Sequence, residues 1–302
     1  MSAALLLALA SQAFASGSGV TGFNSLKLLR GARPAGMAGA FTAVADDVNA
    51  LLYNPAGLNE LRDVQIGASH MEWLDGVKDD SIALGFPLYG LGAWGLGATY
   101  LYAQDLARDN WGNPSYTFND FDFSAQAAFS LQVGDHAGIG LLYKILRQGY
   151  DTRFNMGSAF DAGLRADFLS RRLTLGLTLQ NMGANSALGA NFSPLPFTLR
   201  GGLAYKPAKD WIFGLDYEHQ PYEFVNKARL GVERRFGISD NIDLALRAGW
   251  LFGPENEQGG LSGLHAGVGF DWSGLQVDYA YVPQGDLGLS QRISMTYSFG
   301  QH

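Results

Sequence analysis

The chain has 302 residues, long enough for two ordinary domains or one large β-barrel. Its 40 Gly, 13% aromatic content and 16% charged content are too apolar for a disordered chain and suit a Gly- and aromatic-rich β protein. A formal net charge of −7 without a basic run argues against nucleic acid as a partner, and the absence of Cys excludes disulfides, thiolate metal sites and cysteine nucleophiles.

Residues 1–15, "MSAALLLALASQAFA", carry a short apolar core, Ala3 to Ala10, and end in the small-x-small pattern Ala13-Phe14-Ala15. They read as a signal peptide, although no Lys or Arg precedes the core. No later apolar run reaches 18 residues, so no transmembrane helix is expected.

Residues 16–61 do not alternate. Within them Ser16 to Ala32 read as linker, and Arg33 to Leu61 as a compact piece rich in small residues. A helix start is expected at Asp46 or Asp47, whose side chains can cap free amides, with a stop before Pro55 and a tight turn at Gly57. Such a piece can neither join a sheet nor span a membrane, so its economical place is inside a barrel, as a plug.

From Arg62 to the end, the period is two. In the tail Ile293, Met295, Tyr297 and Phe299 alternate with Arg292, Ser294, Thr296 and Ser298. The same pattern recurs over Phe160 to Phe168, Leu173 to Leu179 and Trp211 to Tyr217. It yields about 14 segments of roughly 10–14 residues, the length of tilted strands that cross a bilayer. They begin near residues 62, 79, 92, 117, 136, 157, 171, 195, 210, 224, 240, 261, 274 and 287.

Tight connectors such as Tyr89 to Leu91 and Trp272 to Gly274 alternate with longer ones at Asp105 to Tyr116, Met182 to Pro194 and Gly253 to Gly260. Short turns on one side and loops on the other mark an outer-membrane barrel. Two aromatic girdles agree, with Trp73, Tyr102, Tyr217, Trp250 and Tyr281 at one set of strand ends and Phe86, Trp94, Phe168, Tyr205, Trp211, Phe236, Trp272 and Phe299 at the other. A soluble β-sandwich of long strands would give no such placement. The polar face is then lumenal and carries Asp122, Arg165, Arg200, Asp216, Arg229, Glu233, Arg247, Asp278 and Arg292. These charges either brace the interior or form a substrate track.

The stretch "GARPAGMAGAFTAVADDVNALLYNPAGL" is similar to the N-terminal signature of FadL-like outer-membrane proteins, and "VDYAYVPQGDLGLSQRISMTYSF" resembles the closing strands of their PorV/PorQ branch. The resemblance implies an all-β, 14-stranded antiparallel transmembrane barrel over residues 62–302 with a small N-terminal helical hatch in the lumen. Asp46, Asp47, Asn54, Pro55, Ala56 and Gly57 fall in that hatch, with Asn54 to Gly57 its signature turn. It also implies outer-membrane lipid as surroundings and one of two roles. One is hatch-gated transport of a hydrophobic small molecule. The other is a type IX secretion accessory that binds exported proteins or the secretion machinery. An open porin is disfavoured by the hatch.

Other chemistry is thin. His70, His136, His219, His265 and His302 lack metal-ligand spacing, "GLGAWG" at Gly90 to Gly95 lies across a turn with no following helix, and no cofactor is expected. His265 with Ser262 or Asp271 is the nearest approach to a catalytic set, and residues so spaced cannot all share a strand face. No enzyme activity is expected. Acidic outer residues Asp109, Glu255 and Glu257 read as solvated, and "NFSPLPF", Asn191 to Phe197, as a small capture patch or strand entry.

Overall fold

The computed structural model describes residues 19–109, 111–185, 193–254 and 261–300. Residues 1–15, the expected signal peptide, lie outside them, as do Glu255 and Glu257. The wall begins with β1 (Val64–Glu72), β2 (Lys78–Leu88), β3 (Gly92–Arg108), β4 (Pro114–Val133), β5 (Ala137–Tyr150), β6 (Arg153–Phe168) and β7 (Leu173–Asn185). It continues with β8 (Thr198–Tyr205), β9 (Trp211–Gln220), β10 (Val225–Ser239), β11 (Ile242–Phe252), β12 (Leu264–Trp272), β13 (Leu275–Pro283) and β14 (Leu289–Phe299). Each strand pairs antiparallel with its sequence neighbours, and β14 returns to β1 from Val64↔Phe299 to Glu72↔Gln291. The result is a closed 14-stranded transmembrane barrel with no free edge.

Alternation decides which way each side chain points. On β5 Leu142, Lys144 and Leu146 are buried, whereas Leu141, Tyr143 and Ile145 are exposed. In β14 Ile293, Met295, Tyr297 and Phe299 face outward. On β4 the outward positions from Phe121 to Leu131 are all apolar. At about 3.3 Å per residue and a tilt near 40°, they make a band roughly 25 Å tall, the height of a lipid core.

Strand lengths depart from expectation, running from 8 residues in β8 to 20 in β4. The segment expected as an outer loop, Asp105 to Tyr116, is mostly strand. Beyond Lys78↔Tyr102 on one side and Phe121↔Gly149 on the other, β3 and β4 pair only with each other, as far as Arg108↔Pro114. A two-stranded hairpin therefore stands above the band. Asp109 closes its tip by accepting from the backbone N–H groups of Trp111 and Asn113, and Trp111 is 85% exposed.

The N-terminal segment fills the lumen. It enters at the loop end, where Gly22 N–H donates to Pro194 O and Phe23 packs with Leu146, Ala159 and Leu195. It then forms short helices at Ala32–Gly36 and Ala50–Tyr53 and a 3-10 turn at Pro55–Glu60 before reaching β1 at the turn end. The core of the protein is the interface between this segment and the wall: Met37, Phe41, Val44, Val48, Leu51 and Leu58 pack against Ala83, Ala93, Ala128, Leu142, Ala204 and Ile212.

Three local expectations need correction. Linker was expected over Ser16 to Ala32, of which residues 16–18 lie outside the described residues, but from about Gly22 the chain is packed inside the barrel. The helix proper starts at Ala50, not at Asp46 or Asp47, although Asp47 does cap a free amide as expected: its Oδ1 accepts from the Asn49 N–H while its Oδ2 accepts from Arg33. Gly57 lies within the 3-10 turn and serves close approach, because a Cβ there would sit 2.4 Å from Ala45 O.

Candidate functional site

Glycines on the wall make the seat for the lumenal segment. They occupy inward positions on neighbouring strands and are often paired across the sheet, as in Gly140↔Gly163, Gly176↔Gly202, Gly214↔Gly231 and Gly231↔Gly249. A Cβ at Gly140 would lie 2.3 Å from Ala56 N, and one at Gly176 would lie 2.5 Å from Thr42 O. Backbone thus meets backbone with no side chain between, and the lumen has no room beside the segment at these points.

Polar bonds fix the register of this contact. Asn54 donates through Nδ2 to Thr42 O at 2.8 Å and to Leu164 O at 3.1 Å, while its Oδ1 accepts from Ala56 N–H. That single side chain ties two turns of the segment to β6. Pro55 and Ala56 lie against Gly140. Asp216 accepts from the N–H groups of Phe41 and Thr42, and Arg165 donates to Ala43 O at 3.0 Å.

A buried charge cluster forms the strongest joint. Arg33 donates through Nε and Nη2 to Glu233, at 2.8 and 3.0 Å, and through Nη1 to Asp46 and Asp47, at 2.7 and 2.6 Å. Arg247 joins Glu233 to Asp278, and Lys206 holds the second oxygen of Asp46. Burial alone would lower the Arg33 guanidinium, but Asp46, Glu233 and Asp47 hold it above its ordinary value. Burial would likewise raise the Asp46 carboxyl, and Arg33, Lys206 and Arg235 hold it well below the usual carboxylate range.

The remaining lumenal charges expected from sequence are also buried on the inner face. Arg200 and Arg229 converge on Glu218, and Asp122 is hydrogen-bonded by Ser25 and Gln148. Arg292 pairs with no carboxylate among the described residues, its Nε lying 3.1 Å from Met71 Sδ. Arg30 and Asp79, 2.7 Å apart, form a further link that sequence reasoning missed. So were Glu218 and the glycine seat. Strand parity held the signal for the last, since the glycines share parity with Arg165, Asp216 and Arg247.

Between segment and wall lies a cavity of about 30 Å³, lined by leucines and Tyr53 of the segment and by Lys144, Gln180 and Arg200 of the wall. It holds about one water and no hydrocarbon. Tyr53 donates to Arg30 O at 2.8 Å, and burial pushes its phenol up to about 12. His265 makes a 2.8 Å bond to Ala35 O, and so clamps the segment rather than meeting Ser262 or Asp271. "NFSPLPF" is not a surface patch where it is described: Leu195 is buried against Phe23, and Phe197 lies near Tyr222. Its Asn191 and Phe192 fall outside the described residues.

Fold and site together define a membrane barrel whose lumen is occupied by its own N-terminal segment, which touches every strand of the wall. The chain belongs to the uncharacterised protein family UPF0164, whose family model matches residues 3–165. No curated protein matches it. Among solved structures it is similar to a FadL homologue of Pseudomonas aeruginosa, with 12% identity, a TM-score of 0.61, and coverage of 91% of this chain and 99% of that one. The Ralstonia pickettii toluene transporter TbuX gives 13% identity, a TM-score of 0.54, and coverage of 89% and 98%. The Pseudomonas putida toluene transporter TodX gives 12% identity, a TM-score of 0.52, and coverage of 95% and 98%. The fold is therefore FadL-like.

Proposed function

We propose that the chain is a bacterial outer-membrane transporter of hydrophobic small molecules, with the lumenal segment acting as a hatch. One observation carries this reading: the segment fills the lumen, and the cavity left between it and the wall beside Tyr53 is too small for a hydrocarbon. Passage then requires the segment to shift, as a gate does. The toluene transporters of like fold support the class of cargo. Residues 1–15 serve as the signal peptide, and the lumenal charges brace the closed hatch.

A second reading, a PorV/PorQ-type barrel that docks exported proteins or type IX secretion machinery, is favoured by the β3–β4 hairpin standing above the band with Trp111 at its tip. Extraction from the native outer membrane in mild detergent, followed by mass spectrometry of whatever stays bound, separates the two. A stoichiometric lipid or hydrocarbon supports transport. A stoichiometric protein partner with no small molecule replaces that reading with the docking one.

A further inference from the structure

At the loop end of the lumen, above the seated segment, opens a second cavity of about 460 Å³, within the size range of small-molecule sites. Its walls include Trp73, Val77, Leu101 and Tyr150, with Asp120 and Asp122 between them. Register places these groups on one face: Asp120 lies opposite Ala103 and Asp122 opposite Leu101, with Asp105 two residues beyond Ala103 on the same side. No Lys, Arg or His lines the cavity. Beneath it, Arg30 is already matched by Asp79.

The charge there is unbalanced, and one of its oxygens is unused. Asp120 is partly exposed and its carboxylate accepts from the Asp151 backbone N–H, but its Oδ1 has no hydrogen-bond partner among the described residues, a position that a cation or donor would satisfy. A metal ion is a poor fit, since no group of three or more carboxylates or imidazoles suited to a metal occurs among the described residues. Aromatic faces beside carboxylates instead match an organic cation, whose charge is attracted by both.

We propose that this mouth cavity binds small organic cations with an aromatic or aliphatic body, such as arylammonium and quaternary ammonium compounds. Binding takes place above the seated segment, so it is independent of whether the hatch moves. The probe is phenyltrimethylammonium, titrated by calorimetry and tryptophan fluorescence into the full-length protein in an uncharged maltoside detergent. The neutral comparator of similar size is 2-phenyl-2-propanol.

Saturable one-to-one binding of the cation is expected, with the neutral compound about tenfold weaker and Asp120→Asn weakening the cation about fivefold. Trp73→Ala weakens it too. Asp109→Asn, an equal charge change at the hairpin tip, leaves it unaltered. Absence of saturable binding, equal binding of the neutral compound, or equal losses from Asp120→Asn and Asp109→Asn would each overturn the proposal. Heat-dependent gel migration confirms that each variant is a folded barrel.

Discussion

Replacing Arg33 by Met tests how the lumenal segment is held. Met keeps most of the side-chain length and removes the donors to Glu233, Asp46 and Asp47, along with the guanidinium 5.2 Å from the Phe41 ring. Glu233 retains Arg247 and Arg235, and Asp46 retains Lys206. Asp47 loses its cation. Breaking a buried pair costs about 3–5 kcal/mol, and the surviving partners put Arg33→Met at the lower end, about 3 kcal/mol. Because the wall strands keep their ladders, the loss falls on the seating of the segment. At 1.4 kcal/mol per decade, the ratio of open to closed barrels rises about a hundredfold. Single-channel recording in a planar bilayer reads that ratio directly. A wild-type open fraction in a folded Arg33→Met barrel would refute the reasoning.

Other perturbations test the remaining joints. Gly140→Ala places a methyl against the backbone of Pro55 and Ala56; an overpacking cost of about 1–3 kcal/mol is expected, read as brief openings in the same recordings. Deleting Arg33 to Leu61 is expected to raise conductance, and unchanged conductance would remove the segment as the seal. For pH the sign follows from Asp46, whose carboxyl is held below its ordinary value. Its contribution is full above the unfolded pKa, near 3.9, and is lost only as pH falls through the lower folded value. Conductance at pH 5 should therefore match that at pH 8, and opening at pH 5 would count against the joint.

The wall was legible because a two-residue period fixes both strand and face. Every strand begins within four residues of its expected start, as with β3 at Gly92 and β6 at Arg153 instead of 157. Lengths were less legible, because Asp105 to Tyr116 is mostly polar around Trp111-Gly112-Asn113-Pro114 and reads as a loop whether or not its ends pair as strands. The lumenal segment could be bounded but not built. Its conformation depends on tertiary partners such as Leu164 O and Glu233, which local propensity does not encode. Nothing in the sequence near Gly22 announces that the chain is already inside. The role of Arg33 was hidden for the same reason, since its partner Glu233 lies 200 residues away.

The central claim is that cargo passes only when the segment moves, and the absence of native Cys allows it to be pinned. Cys at positions 22 and 193 would place their Cβ atoms about 3.6 Å apart, within disulfide range. Cys at positions 48 and 67 staples the other half: a Cβ at Gly67 lies 2.8 Å from Val48 Cγ1, close to the roughly 3 Å between a sulfur and the far Cβ of a disulfide. The measurement is uptake of a radiolabelled aromatic hydrocarbon by cells carrying Gly22→Cys, Ser193→Cys, Val48→Cys and Gly67→Cys together, oxidised and then reduced. Uptake is expected to stop on oxidation and return with reductant. Undiminished uptake through the doubly stapled barrel would contradict a hatch-gated route.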